Sequence, residues 1–421
     1  MSHSNTVLSQ LLNLIDRHDF QKLENEQFQP TRKYRVLSRW GQFTTMMFAQ
    51  ITGRVSLRDI SDSLQTQAGR LYHLGIGSVK KSTLADANNR RPAEFFQAFF
   101  EKSYQRCAVL APGKKKFKFK NKLYSLDAST IDLCLSVFPW AKFRTTKGGI
   151  KLHALLDHDG YIPAFASITD AKTSDLAYAR TLTLPPGSIV ATDRAYVDFS
   201  WLYNLEKRKN YFVTRLKKNI RYKVVDRRPV LKSKGITSDQ TIILIGPKSS
   251  DCPIPLRRVG YKEPDTGKHY FFLTNNFHLA AKTIADIYKD RWQIELFFKW
   301  LKQNLKIKTF LGTSKNAVMT QIWIALVTML VLAYMKFLAK PGKTITQIQR
   351  LLQLNLFEKQ DLWKLFDPPL TKHIVDSPQK SSLISANYNR TLVSMDKPDG
   401  GGMYSQETED GEVVLIKEKN Q

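Results

Sequence analysis

A chain of 421 residues that is 42% hydrophobic and 11% aromatic can build two or three domains with cores of their own, which excludes an intrinsically disordered protein. Its 65 Lys and Arg against 37 Asp and Glu leave a formal charge of +28, which points to a polyanionic partner, nucleic acid first and a membrane surface or ribosome after it. Cys107, Cys134 and Cys252 are far apart and odd in number, against a disulfide framework or a cysteine-ligated zinc site, and they fit a reducing cytoplasm.

MSHSNTVLSQLLNLIDRHDF lacks a basic leader and is interrupted by Asp16, so no secretory signal is expected. Residues 1–110 read as a helical, DNA-binding N-terminal domain, with Ser56 and Ser82 as expected N-caps. A helix, the turn HLGIGS and a second helix ending in Arg90 and Arg91 share the rhythm of a helix-turn-helix, with plain helical packing the equal alternative. GIGSVKKS is no phosphate loop, because the glycine that must precede the lysine is missing.

From about Leu123 the pattern turns to short β-branched runs: LYSLDAS, DLCLSVF, IKLHALLD, IPAFASIT and SIVATD, parted by HDG and PPG turns. Residues 111–210 are therefore the first part of a mixed α/β sheet domain, and 211–279 are a strand-rich, strongly basic insertion that includes Lys217 and Lys218. Helical periodicity returns over 280–340. The uncharged segment 316–335 is long enough to span a membrane, but polar Asn316, Thr320 and Gln321 and the amphipathic helix just before it favour a buried core helix. A helical region at 341–390 and a mobile acidic tail at 391–421 complete the chain.

Three acidic residues carry chemistry. Asp127 in YSLDAST and Asp193 in IVATDRAY end strand-like runs, and each alone is best read as a turn or cap residue. With Glu295 they make a carboxylate set suited to Mg²⁺, with Mn²⁺ as a substitute. Two such ions activate an attacking oxygen and stabilise a leaving one on a phosphodiester. In YKDRWQIELFFKWLK, Tyr288, Arg291, Glu295 and Lys302 fall within about 60° of one helix face. The plain alternative is a solvated face with an Arg291–Glu295 ion pair. His153 and His158, near Asp157 and Asp159, are read as a strand running into a turn and not as a metal cluster.

The spacing Tyr288, Arg291, Glu295, Lys302 resembles the signature of the insertion-sequence-4 family of bacterial DDE transposases, and LDAST and TDRAYVD resemble the segments bearing that family's two catalytic aspartates. The resemblance covers roughly residues 120–340. It implies an RNase H-like mixed sheet flanked by helices, interrupted by a β-rich insertion domain and preceded by an α-helical N-terminal domain. It also implies Asp127, Asp193 and Glu295 as catalytic ligands of two ions, Tyr288, Arg291, Trp292 and Lys302 against DNA, and work as a homodimer on double-stranded DNA at transposon ends and target, in the cytoplasm and away from membranes. Relatives release the element through end hairpins, and one of them uses a tryptophan in the insertion for that step; 211–279 contains none, leaving Tyr270, Phe271 or Phe272 to stack. A nuclease that does not join ends and a non-catalytic DNA-binding derivative are the competing readings.

Overall fold

The computed structural model describes residues 5–366, apart from 31–33, 114–115, 143–146, 306, 308 and 340–341, together with 403–407 and 413–417. Residues up to Pro368 form one compact unit. Most of the expected tail and residues 367–390 of the expected helical region lie outside the described residues. Within the tail, Met403–Glu407 and Val413–Lys417 pair as two antiparallel strands.

The helical N-terminal part comprises α1 (Val7–Leu12), α2 (Arg17–Gln27), α3 (Arg39–Thr52), α4 (Leu57–Gln65), α5 (Ala68–Leu71), α6 (Lys81–Arg90) and α7 (Glu94–Leu110). Ser56 caps α4 as expected, accepting from Asp59 N at 3.0 Å, a contact worth about 1 kcal/mol. Ser82 does not cap α6: that helix starts at Lys81 with no side-chain cap, so the serine lies inside the first turn.

Strands β1 (Leu123–Leu133), β2 (Gly148–Asp157), β3 (Ile162–Asp170), β4 (Ile189–Thr192), β5 (Tyr211–Arg215), β6 (Tyr222–Arg227), β7 (Ile236–Leu244), β8 (Leu256–Lys262) and β9 (His269–Thr274) form one nine-stranded sheet in the order β3-β2-β1-β4-β5-β9-β8-β7-β6. β1, β4 and β5 run parallel and every other pairing is antiparallel. The strand-rich basic segment therefore extends the central sheet through β9 instead of closing on itself. The expected strand DLCLSVF is not one: β1 pairs with β2 as far as Leu133, and residues 134–138 form a turn closed by Val137 N and Phe138 N on Cys134 O.

Helices α8 (Asp175–Thr181) and α9 (Phe199–Lys207) cover the face bearing Tyr124, Leu126, Val190 and Phe212. α10 (Ala281–Asp290) covers the opposite face through Ile284 and Ile287, against Leu123, Ile189 and Val213. α11 (Gln293–Asn304), α12 (Lys315–Leu338) and α13 (Ile345–Asn355) join the N-terminal helices in the largest core. α12 is apolar and long enough to cross a membrane, yet 89% of its most apolar window is buried inside the protein, where it packs on α3, α6 and α7.

The signature segment is not one helix. α10 stops at Asp290 and α11 starts at Gln293. Between them the chain tightens into i→i+3 bonds, Trp292 N to Lys289 O at 3.3 Å, Ile294 N to Arg291 O at 3.1 Å and Glu295 N to Trp292 O at 3.0 Å. A short 3₁₀-like turn within a helical run commonly marks a functional joint.

Candidate active site

Two parallel strands set the first half of the site. The β1–β4 register ends at Leu126 opposite Thr192, so Asp127 and Asp193 are the next residues on neighbouring strands and leave the pairing at the same level. β1 itself continues, paired only to β2, so Asp127 lies within a strand and not at its end as the sequence led one to expect. Asp127 Oδ1 accepts from Ala128 N at 2.8 Å. Asp193 opens a one-turn 3₁₀ helix, its Oδ1 accepting from Ala195 N at 2.8 Å.

The joint between α10 and α11 sets the second half. Arg291 is 8% exposed; its Nη2 donates to Glu295 Oε1 at 2.7 Å and its Nη1 stands 3.6 Å from Asp127 Oδ2. Nε and Nη1 are buried, and the guanidinium is held between Asp127, Glu295 and Tyr288. Burial pushes the Asp127 carboxyl up to about 6, against the pull of Ala128 N–H and Arg291 and with help from the Glu295 and Asp193 charges. Burial alone would lower the Arg291 pKa, but the Glu295 hydrogen bond, Tyr288 and Asp127 raise it overall. Lys302, from the far end of α11, donates to Ser129 Oγ at 2.6 Å and Thr130 O at 2.9 Å, clamping that helix to β1 just beyond Asp127.

Do these residues fit a divalent metal? Their donor chemistry does, since carboxylate oxygens are hard ligands, and the Asp127 pKa, raised chiefly by burial and further by the Glu295 and Asp193 charges, marks a carboxylate that a bound cation would stabilise. Among the described residues, however, no three His, Cys, Asp or Glu side chains converge closely enough to hold an ion. The guanidinium of Arg291 stands between Glu295 and Asp127, so the acidic set fits by chemistry with Arg291 as its present counter-charge.

Around the site run two concave surfaces. A cavity of about 490 Å³ opens beside Tyr288, Arg291 and Trp292, walled by Tyr261, Tyr270 and Phe272 from the sheet and Lys116 from before β1. Trp292 is 56% exposed at its rim, whereas Phe272 is 2% exposed, stacked on Tyr270 and against Tyr288, and so closed to a base. Phe271 points to the other face of the sheet beneath Arg258. A second hollow of about 610 Å³ joins Asp193 and Arg194 to Lys217, Lys218 and Asn219. Lys218 is exposed and Lys217 donates to Val197 O at 3.1 Å.

The two arginines singled out at the end of α6 part company. Arg90 is exposed and paired only with Asp86, at 2.7 Å. Arg91 turns inward, donating to Leu37 O, Ser38 O and Gln42 Oε1 and stacking over Tyr34 at 4.1 Å, so its guanidinium is committed to contacts within the protein. Sequence reasoning missed the buried group behind the joint, in which His158, Tyr161 and Lys116 surround Asp290; its members are far apart in the chain, and only the charge at Asp290 inside an apolar stripe hinted at it.

Residues 118–332, half of the chain, match the family described as "Transposase DDE domain". The chain belongs to the DDE transposase family. Residues 3–77 of this transposase match a second family, described only as a domain of unknown function. A protein of Sinorhizobium fredii named as a transposase is 34% identical over 290 residues, 68% of this chain and 80% of that protein. A protein of Geobacillus stearothermophilus named as the transposase for insertion sequence element IS5377 is 30% identical, over 63% of this chain and 70% of that one. A Synechocystis protein named as the transposase for insertion sequence element IS4SA is 24% identical, over 75% and 89%. Among solved structures, the piggyBac transposase in a synaptic complex with hairpin DNA matches with a TM-score of 0.42 and 12% identity, over 86% of this transposase and 80% of that chain. Membership makes the protein an enzyme of DNA phosphoryl transfer, in a family that generally depends on a divalent metal.

Proposed function

We propose that the transposase binds the terminal inverted repeats of its own insertion sequence, cleaves the ends and joins the 3′-hydroxyls to target DNA, acting in the cytoplasm as a dimer on double-stranded DNA. The observation that carries this is the level exit of Asp127 and Asp193 from paired parallel strands, with Glu295 tied toward them through Arg291.

The strand order β3-β2-β1-β4-β5, with only β1, β4 and β5 parallel, supports an RNase H-like core into which β6–β9 are inserted. Asp127, Asp193 and Glu295 would hold two Mg²⁺ or Mn²⁺ ions, which when bound supply Lewis-acid activation of the phosphodiester. The chain's own groups bind and orient the strand. Arg291, beside the cavity it lines with Tyr288 and Trp292, takes a phosphate oxygen next to the cut; Tyr288, whose phenol pKa burial raises, stays protonated and donates to the same backbone. Lys217 and Lys218 line the way past Asp193, and Lys302 fixes α11 against β1. Exposed Trp292, at the mouth of the aromatic cavity, is placed to stack on a displaced base and makes an end hairpin sterically reasonable without a tryptophan in the insertion.

Purified protein mixed with DNA carrying the element's ends, in Mg²⁺ or EDTA, tests the proposal. Metal-dependent joining of ends to a second duplex is expected. Cutting without joining would reduce the protein to a nuclease, and binding without cutting to a DNA-binding derivative.

A further inference from the structure

Behind the site lies a buried chain of polar groups that the chemistry above does not use. Ser125 Oγ and His158 Nε2 are 2.7 Å apart, and His158 Nδ1 is 2.7 Å from Asp290 Oδ2. Asp290 also accepts from Tyr161 OH and Lys116 Nζ, each at 3.0 Å, and although burial pushes its pKa up, His158 and Lys116 hold it below the usual carboxylate range. The order serine, histidine, aspartate is that of a hydrolase triad, but Ser125 is 0% exposed and His158 2%, so no substrate reaches the hydroxyl. The location of the two ends is more telling. Ser125 shares a strand and, by the two-residue period, a face with Asp127, while Asp290 immediately precedes Arg291 at the tightened joint.

We infer that His158 is a positioning residue, which through Ser125 and Asp290 fixes the α10–α11 joint against β1 and so sets where Arg291 and Glu295 stand relative to Asp127. The turn after α10 has i→i+3 bonds and an exposed Trp292, and Lys302 clamps α11 only at its far end, so losing the grip on Asp290 loosens the joint and lets Glu295 shift relative to Asp127. His158 is itself anchored, its backbone N donating to Leu123 O at 3.0 Å. A buried, satisfied network of this kind stiffens its surroundings, and losing one member leaves the others unpaired.

This inference rests on the proposed cleavage function, and the test separates the two. Full-length wild type, His158→Ala, His158→Asn, Ser125→Ala and the control Tyr104→Phe are compared; Tyr104 OH donates to Asp157 at 3.0 Å in the same corner but leads nowhere near the joint. Four quantities are read: melting temperature, affinity for end DNA in EDTA, single-turnover cleavage at saturating DNA in Mg²⁺, and hydrogen exchange over 288–296. His158→Ala is expected to cleave about 10–100-fold more slowly with affinity unchanged, and to exchange faster at the joint. His158→Asn, whose amide can still donate to Asp290, recovers much of the rate; Ser125→Ala gives a smaller loss and serves if His158→Ala does not fold; Tyr104→Phe lowers the melting temperature alone. Wild-type cleavage and joint exchange in folded His158→Ala, or a rate loss in Tyr104→Phe matching its melting shift, would overturn the inference. Were wild type itself inactive, the functional proposal would fall, and the exchange at the joint would still decide the role of His158.

Discussion

Arg291 Nη2 donates to Glu295 Oε1 at 2.7 Å while Nη1 of the same guanidinium stands 3.6 Å from Asp127 Oδ2. One cation thus serves an acid on α11 and an acid on β1, and it does so from a joint where the helix tightens. The four-residue step from Arg291 to Glu295 is therefore more than the surface ion pair that helical spacing alone would allow, because both partners face a third, half-buried charge at Asp127.

That half-buried charge sets a pH dependence. The Asp127 carboxyl is pushed up to about 6 in the folded protein, above the unfolded value of about 4, so the native state binds the extra proton between these pH values. Its contribution to stability is full below about pH 4 and is lost as pH rises through about 6. Metal-free Asp127→Asn should be more stable than wild type at pH 7.5 by about 1–3 kcal/mol, with the difference vanishing near pH 4. Urea denaturation in EDTA across this range reads it directly; equal stabilities at pH 7.5 would deny the desolvation.

Arg90 and Arg91 should behave oppositely. Arg91→Ala leaves two backbone carbonyls and Gln42 without their donor and is expected to cost about 2–4 kcal/mol in denaturant unfolding. Arg90→Ala is expected to change stability by less than about 0.5 kcal/mol, and to reduce the salt slope of DNA binding by about 1 if it contacts phosphate.

Much of this geometry was legible in the sequence. The β-branched runs located β1 and β4, and the residue after each matched run is an acid of the site, because the parallel β1–β4 pairing ends there and leaves room beside both chains, although β1 itself runs on against β2. Three features were not legible. The joint inside the signature helix is invisible to a 3.6-residue period, since one tightened turn barely shifts the pattern. Arg91 and Arg90 look alike until the carbonyls of Leu37 and Ser38 are folded against one of them. The pairing of His158 with Asp290 joins residues on opposite sides of the insertion, and no local pattern reports such a contact.

The HDG turn between β2 and β3 was read correctly as a turn, and its glycine is constrained twice. Gly160 has φ +78°, and a Cβ there would lie 2.5 Å from Phe337 Cζ on α12. Gly160→Ala should therefore destabilise by about 1–3 kcal/mol, through backbone strain and a displaced core ring together. An unchanged denaturation midpoint would show that Phe337 yields freely.

Lys302→Ala should act on chemistry more than on affinity, because the ammonium is spent on Ser129 and Thr130. Single-turnover cleavage at saturating DNA is expected to fall by about tenfold, with affinity for end DNA in EDTA nearly unchanged. A large loss of affinity with an intact rate would instead make Lys302 a phosphate contact.

The most direct test of the acidic site is single-turnover cleavage of end DNA by wild type, Asp127→Ala, Asp193→Ala and Glu295→Ala, with binding of the same DNA measured in EDTA. The account predicts metal-dependent cleavage by wild type, none by any variant, and retained binding by all. Cleavage at the wild-type rate by any one variant would contradict it.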